Sequence, residues 1–187
     1  MSNHFVGKYE AEIKFRLADP QIFLHQLMQD GAEPFTENNI ETDYFFDSQT
    51  ATLAEQNISM CVREMTPSGI KLWIVKGPSS SECKAINIDD CNHVKNMLIT
   101  LGYQCNLTAS KTRSIYFLKD VHITLDHLAD IGWFAEFAIM TDDETLLDTL
   151  NQKLLSVAKN YGFDDELIEK RSYKHMFLEK KNKETVN

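Results

Sequence analysis

The sequence predicts an α+β protein in which antiparallel strands predominate and helices flank them. Residues 8–16 alternate strictly between charged and apolar side chains, which is the two-residue period of a β-strand. Later strand candidates are joined by turns too short for a parallel crossover, which indicates antiparallel pairing. No repeat, low-complexity linker or change in composition divides the 187 residues. We therefore expect one domain over residues 1–179 and a polar, frayed tail over residues 180–187.

Capping signals predict three helices. Asp19 and Pro20 suit the N-cap and the first helical position of the first helix, and Gly31 suits its C-terminal end. Aspartates and glycines bound the other two helices in the same way. In chain order, the predicted helices cover residues 19–31, 89–102 and 142–162.

Seven strands are predicted from alternating or apolar runs that turn signals interrupt. Thr66-Pro67-Ser68-Gly69 separates two such runs, which is typical of a hairpin. Lys119-Asp120 and Asp130-Ile131-Gly132 separate three longer runs, which indicates a meander. In chain order, the predicted strands cover residues 8–16, 41–46, 58–65, 70–76, 110–118, 122–128 and 133–140.

Composition and charge argue against several functional classes. The formal net charge of −9 disfavours general nucleic-acid binding, because phosphate backbones require a basic surface. No apolar run approaches the roughly 18 residues of a membrane-spanning helix. Since the N-terminus also lacks a signal-peptide core, we expect no membrane association and a cytoplasmic location. The four cysteines form no CxxC pair, and we interpret them as reduced thiols.

Charged faces on several predicted strands indicate an enclosed polar site. Lys111 and Arg113 share one strand face, and Arg63 interrupts an apolar run. Burying such charges costs several kcal/mol apiece unless they pair or bind a ligand. Carboxylates are the ligands that Mg²⁺ or Mn²⁺ prefers, whereas Lys and Arg neutralise phosphates. The candidate metal ligands are Glu10, Glu12, Asp126 and Glu136, and the candidate polyphosphate ligands are Lys14, Arg63, Lys76, Lys111 and Arg113.

Spacing alone leaves a second interpretation equally open. The same charges could form cross-strand ion pairs on exposed sheet faces. His122 and His127 lie on one of the strands concerned, but we interpret both as structural or surface residues. The sequence therefore assigns no dedicated general base.

Charged motifs follow one another in a distinctive order along nearly the whole chain. Glu10-x-Glu12-x-Lys14 comes first, and Lys111-Thr112-Arg113-Ser114-Ile115-Tyr116 lies in the second half. Leu125-Asp126-His127-Leu128 precedes Gly132-Trp133-Phe134-Ala135-Glu136, and Arg171-Ser172-Tyr173 comes last. Together they resemble the ExExK, KxRxxY, metal-binding hairpin and RSY elements of the CYTH superfamily of triphosphate tunnel proteins.

The resemblance implies an eight-stranded antiparallel barrel whose tunnel binds a triphosphate with divalent metal. Bacterial class IV adenylyl cyclases look most similar within the superfamily. They imply ATP as the substrate, Mg²⁺ or Mn²⁺ as the cofactor with two ions per site, and a homodimer. Many tunnel phosphatases carry a second acid in a Phe-x-Glu-x-Glu pattern, whereas this chain has Ala138 two residues after Glu136. That departure fits the cyclase branch.

On this resemblance we expect conversion of ATP to 3′,5′-cyclic AMP and pyrophosphate. Attack of the 3′-hydroxyl on the α-phosphorus would depend on metal held by the acidic residues. The expected catalytic residues are Glu12, Glu136, Lys14 and Arg113. One alternative is a triphosphatase that acts on inorganic or thiamine triphosphate in the same tunnel. The other is a non-catalytic protein that binds nucleotides or polyphosphate.

Overall fold

The fold is built on one antiparallel sheet of eight strands, seen in a computed structural model that describes residues 3–186. The strands are β1 (Tyr9–Leu17), β2 (Glu33–Ser48), β3 (Ser59–Thr66), β4 (Lys71–Lys76), β5 (Cys83–Asn87), β6 (Tyr103–Leu118), β7 (Val121–Leu128) and β8 (Gly132–Thr141). The helices are α1 (Pro20–Gln29), α2 (Thr52–Glu55), α3 (Cys91–Thr100), α4 (Leu147–Lys159) and α5 (Tyr173–Val186).

The sheet curls until its two edge strands meet. Its strand order is β1-β8-β7-β6-β2-β3-β4-β5. The Glu10 amide of β1 donates a hydrogen bond to the Ser81 carbonyl at 2.7 Å. The Cys83 amide at the start of β5 donates to the Lys8 carbonyl at 3.0 Å. These bonds bring the two edges together around a tunnel, which confirms the predicted eight-stranded antiparallel architecture with flanking helices.

The apolar face of β1 packs away from the tunnel. Ile13 and Phe15 lie in the largest apolar core, together with Phe23 of α1 and Leu154 of α4. Phe137 of β8 joins this core and makes an edge contact with Phe15 at 6.0 Å between ring centroids. Because neighbouring residues of a strand point to opposite faces, the charged residues of β1 face the tunnel.

A second core covers the outer face of the other half of the sheet. Phe46 of β2 and Val62 of β3 pack against Leu98 of α3. The two outer cores therefore fix the curvature of the sheet from outside and leave its inner face to other side chains.

The last helix packs into the tunnel. Phe177 of α5 contacts an apolar cluster on the inner face that includes Phe45 and Leu107. Met176 packs against Phe134 of β8. The apolar side chains of α5 therefore lie inside the sheet, beside the charged part of the tunnel.

Two strands are much longer than predicted, and three elements were not predicted. β2 and β6 each span 16 residues because they pair with each other over most of their lengths. α2, β5 and α5 were not predicted from the sequence, and α5 continues through residue 180, where the predicted tail begins. The three predicted helices are present, and the Asp19 carboxylate accepts from the Gln21 and Ile22 amides as an N-cap. No helix in residues 3–186 is long and apolar enough to cross a membrane.

Phe137→Ala should lower the free energy of unfolding by about 3–5 kcal/mol, because it leaves a cavity between the sheet and helices α1 and α4. Urea denaturation followed by circular dichroism measures the loss. Ile22→Ala is the control, since Ile22 lies on α1 with 60% of its surface exposed. Equal midpoints for the two variants would contradict the assigned core.

Candidate active site

The strand register brings the predicted charged residues to one face. Lys14 lies opposite Glu136 on the β1/β8 ladder, and Arg113 lies opposite Asp126 on the β6/β7 ladder. Two ion pairs also join strands that are not neighbours in the sheet: Lys76 of β4 with Glu10 of β1, and Arg113 of β6 with Glu136 of β8. All nine predicted site residues line this interior: Glu10, Glu12, Lys14, Arg63, Lys76, Lys111, Arg113, Asp126 and Glu136.

Arg113 is the centre of the first group of charges. Its Nε and Nη2 atoms donate to the two Asp126 oxygens, each at 2.6 Å, and Nη2 also contacts Glu136. Lys14 Nζ lies 3.8 Å from the other Glu136 oxygen. Burial opposes the charge on Glu136, but Arg113 and Lys14 outweigh it and keep the Glu136 pKa below its ordinary value. Glu136 is therefore ionised.

Arg63 and Lys111 form a second group with two carboxylates that the sequence did not assign to the site. Arg63 binds both oxygens of Asp43, at 2.7 and 2.9 Å, and lies 3.1 Å from Glu41. Lys111 also donates to Glu41. The Glu41 side chain is only 1% exposed, yet Arg63, Lys111 and Arg113 overcome the burial and lower its pKa. The alternation Glu41-x-Asp43-x-Phe45 in a predicted strand was the signal for these residues.

Lys76 pairs with the two acids at the start of β1. Its Nζ lies 2.7 Å from Glu10 and 3.7 Å from Glu12. Burial and the nearby Glu136 raise the Glu12 pKa to about 7. In Glu10 the attraction of Lys76 overcomes burial and lowers the pKa. The pKa values of Glu10 and Glu12 therefore shift in opposite directions, because Lys76 neutralises mainly Glu10.

Tyr173 at the start of α5 covers the cationic cluster. Its hydroxyl donates to Asp126 at 2.7 Å. Its ring centroid lies 4.3 Å from Lys14 Nζ and 5.3 Å from Lys111 Nζ. Burial and the Asp126 carboxylate raise the Tyr173 pKa well above its ordinary value. The tyrosine therefore acts as a neutral hydrogen-bond donor and an aromatic wall.

The two histidines occupy different surroundings. His122 is buried, and its Nε2 lies 3.7 Å from a Glu10 oxygen. His127 is stacked on Trp133 at 4.4 Å between ring centroids. His122 therefore lies at the edge of the charged site, while His127 makes an aromatic contact.

Residues 8–173 match the CYTH domain family. The chain belongs to this family. It is 47% identical to "Adenylate cyclase CyaB" of Aeromonas hydrophila over 173 residues, which cover 92% of this chain and 91% of that protein. This CYTH protein is therefore a near full-length homologue of that class IV cyclase.

Solved structures show the same fold. The X-ray structure of a putative adenylate cyclase from Vibrio parahaemolyticus is 42% identical, with a TM-score of 0.89 over 92% of this chain and 99% of that one. The Hippeastrum protein HpAC1, described as a putative adenylyl cyclase with a dominant triphosphatase activity, is 14% identical. Its TM-score is 0.52 over 80% of this chain and 88% of that one, so it shares the fold alone.

Ala138 keeps a small side chain beside the acids of this CYTH protein. It lies opposite Glu12 on β1 and opposite His122 on β7, and it is 2% exposed. A carboxylate here would add a further negative charge next to Glu12, whose pKa is already raised. The site therefore carries one acid fewer than the Phe-x-Glu-x-Glu pattern.

The acidic residues fit a divalent metal ion. Within residues 3–186, no three His, Cys, Asp or Glu side chains form a ready-made metal site. The predicted acids contact cations instead. Burial raises the pKa of Glu12 most, and repulsion from the Glu136 carboxylate adds to it; a divalent cation would relieve that repulsion. Hard carboxylate oxygens are also the ligands that Mg²⁺ and Mn²⁺ prefer.

Glu12→Gln should stabilise the metal-free protein at pH 8 but not at pH 4.5. The pKa of Glu12 in the folded protein, about 7, lies above its ordinary value of 4.5. Protonated Glu12 therefore contributes stability that is fully present below pH 4.5 and is lost as the pH rises through 7. At pH 8 we expect the Glu12→Gln variant to melt at a higher temperature than the wild type, by about 2–4 °C for each 1 kcal/mol of stability gained.

Melting curves in a chelator at both pH values test this effect. Glu166→Gln is the control, because Glu166 is exposed on the surface. A Glu12→Gln effect that is the same at both pH values would refute the raised pKa.

Proposed function

We propose that the chain is an adenylyl cyclase that converts ATP to 3′,5′-cyclic AMP and pyrophosphate. The observation that carries the proposal is the 47% identity to the Aeromonas protein named adenylate cyclase over nearly the full length of both chains. The tunnel supplies matching chemistry, because cations and carboxylates face each other in one enclosed space. The resemblance to class IV cyclases also supports a homodimer.

The cations are proposed to bind the triphosphate. Arg63 and Arg113 present guanidinium groups, which bind phosphate oxygens in pairs. Lys14, Lys76 and Lys111 add positive charge around the same space. These residues would stabilise the charge that develops on the α-phosphate and on the departing pyrophosphate.

The acids are proposed to hold the metal, chiefly through Glu12 and Glu136, with help from Glu10 and Asp126. Bound Mg²⁺ or Mn²⁺, with two ions per site, would lower the pKa of the attacking hydroxyl and neutralise phosphate charge. Glu41 and Asp43 instead contact Arg63 and Lys111. We assign these two to orienting the cations.

In the proposed reaction the ribose 3′-oxygen forms a bond with the α-phosphorus. The bond from the α-phosphorus to the bridging oxygen of the β-phosphate breaks, and pyrophosphate leaves with the bonding electrons. The hydroxyl proton passes to water, since no dedicated base is assigned. Holding the hydroxyl in line with the leaving group is the main task of the tunnel.

Product analysis tests the proposal directly. We expect the purified chain, incubated with ATP and Mg²⁺ or Mn²⁺, to form cyclic AMP and pyrophosphate in equal amounts, as resolved by chromatography. ADP with orthophosphate would instead identify a triphosphatase. Metal-dependent ATP binding without any product would refute the cyclase and favour a binding protein or another triphosphate substrate.

Glu136→Ala should lower kcat by at least about 100-fold while the fold is retained, because it removes a carboxylate at the reacting centre. Lys111→Ala should chiefly raise the KM for ATP, because it removes one phosphate contact. Initial rates over a range of ATP concentrations separate the two effects. Glu166→Ala is the surface control, and normal turnover in Glu136→Ala would rule out the acidic assignment.

A further inference from the structure

A small polar cavity opens beside the acids of β1. Its volume is 150 Å³, which suits part of a nucleotide, since sites for whole small molecules usually exceed about 300 Å³. It lies where the Glu10 amide meets the Ser81 carbonyl, at the contact between the two edges of the sheet. The cavity is lined by Glu10, Glu12, Lys76, Ser80, Ser81 and Asn151.

Three neutral polar residues of the cavity are not used by the proposed triphosphate site. Ser80 and Ser81 precede β5, and Asn151 belongs to α4. None of their side chains makes a hydrogen bond with another described residue of the chain. Their hydroxyl and amide groups can both donate and accept, so they are free to bind a ligand.

The lining discriminates between the three parts of a nucleoside triphosphate. Glu10 and Glu12 set two carboxylates against the single cation Lys76 in this lining, so its excess negative charge disfavours a phosphate group. A purine base prefers aromatic or aliphatic contacts, and no such side chain of the described residues lines the cavity. Sugar hydroxyls both donate to carboxylates and exchange hydrogen bonds with serine and asparagine. The chemistry of the cavity therefore matches a ribose.

We propose that this cavity holds the ribose of the nucleotide substrate, with Asn151 and the two serines hydrogen-bonding its 2′-hydroxyl. The inference rests on the proposed function, because cyclisation requires the 3′-hydroxyl beside the acids that hold the metal. Glu12 and Lys76 line both the cavity and the charged tunnel. A ribose here places its 3′-hydroxyl next to Glu12 while the phosphates continue toward the cations.

Binding of three ligands to two variants tests the subsite. The ligands are α,β-methylene ATP, which cannot release pyrophosphate, its 2′-deoxy analogue, and inorganic tripolyphosphate, which has no sugar. Asn151→Ala is compatible with α4 because alanine favours helices. Gln152→Ala is the control, since Gln152 is exposed on the same helix. Calorimetry with Mg²⁺ present measures each dissociation constant.

We expect Asn151→Ala to weaken α,β-methylene ATP about 5- to 10-fold, as for the loss of one hydrogen bond, and to leave tripolyphosphate unchanged. The 2′-deoxy analogue should bind wild type and Asn151→Ala equally. Equal weakening of both nucleotides would overturn the assignment of Asn151 to the 2′-hydroxyl. Unchanged affinity for α,β-methylene ATP in either Asn151→Ala or a Ser80→Ala/Ser81→Ala double variant would also overturn the ribose assignment.

The product assay on wild type separates this inference from the proposed function. Cyclic AMP formation together with an unchanged nucleotide affinity in these variants would refute the ribose subsite alone. Selective loss of nucleotide affinity without any cyclic AMP from wild type would refute the cyclase and leave the ribose contact supported.

Discussion

Mutual neutralisation of buried charge is the constraint on which the tunnel depends. Among the described residues, the five cations and six carboxylates named above face one another in its interior, and each charged group would be costly to bury alone. Arg63 and Arg113 each engage a carboxylate through two nitrogen atoms, which fixes the planes of the guanidinium groups. A polyanion therefore meets cations that are already oriented, at the cost of displacing carboxylates that hold them.

The same balance explains why the carboxylates are not equivalent. Glu41 has cationic neighbours on several sides and a lowered pKa, whereas burial and the nearby Glu136 raise the pKa of Glu12 despite Lys76 at 3.7 Å. A group of the first kind is suited to holding cations in place. A group of the second kind gains most from a new positive charge, which is why Glu12 leads the proposed metal ligands.

Much of the architecture could be predicted because its signals are local. The alternation of residues 8–16, the caps and the short turns each depend on a few neighbouring residues, and all three predicted helices are present. β5 was missed because it is short and largely exposed, and its strand form depends on pairing with β4. α5 was missed because few of its residues are apolar, and its position depends on Tyr173, Met176 and Phe177 inside the tunnel.

The predicted site residues come together, but their partners did not all follow from the sequence. Glu41 and Asp43 lie on a strand whose true pairing is longer than the pattern indicated. Tyr173 belongs to a motif that the resemblance brought out, yet its contact with Asp126 joins residues 47 positions apart. The Asn151 contribution to the cavity likewise depends on how α4 lies against the sheet. Such long-range contacts leave no local pattern.

The alternation of β1 also has a consequence for how the protein can change. Ile13 and Phe15 belong to the outer core, while Glu12 and Lys14 face the tunnel. Substitutions on the inner face therefore alter ligand chemistry without removing any apolar contact that holds the helices to the sheet. Packing and reactivity therefore depend on alternate residues of one segment, so the scaffold can acquire a new substrate while its apolar core is unchanged.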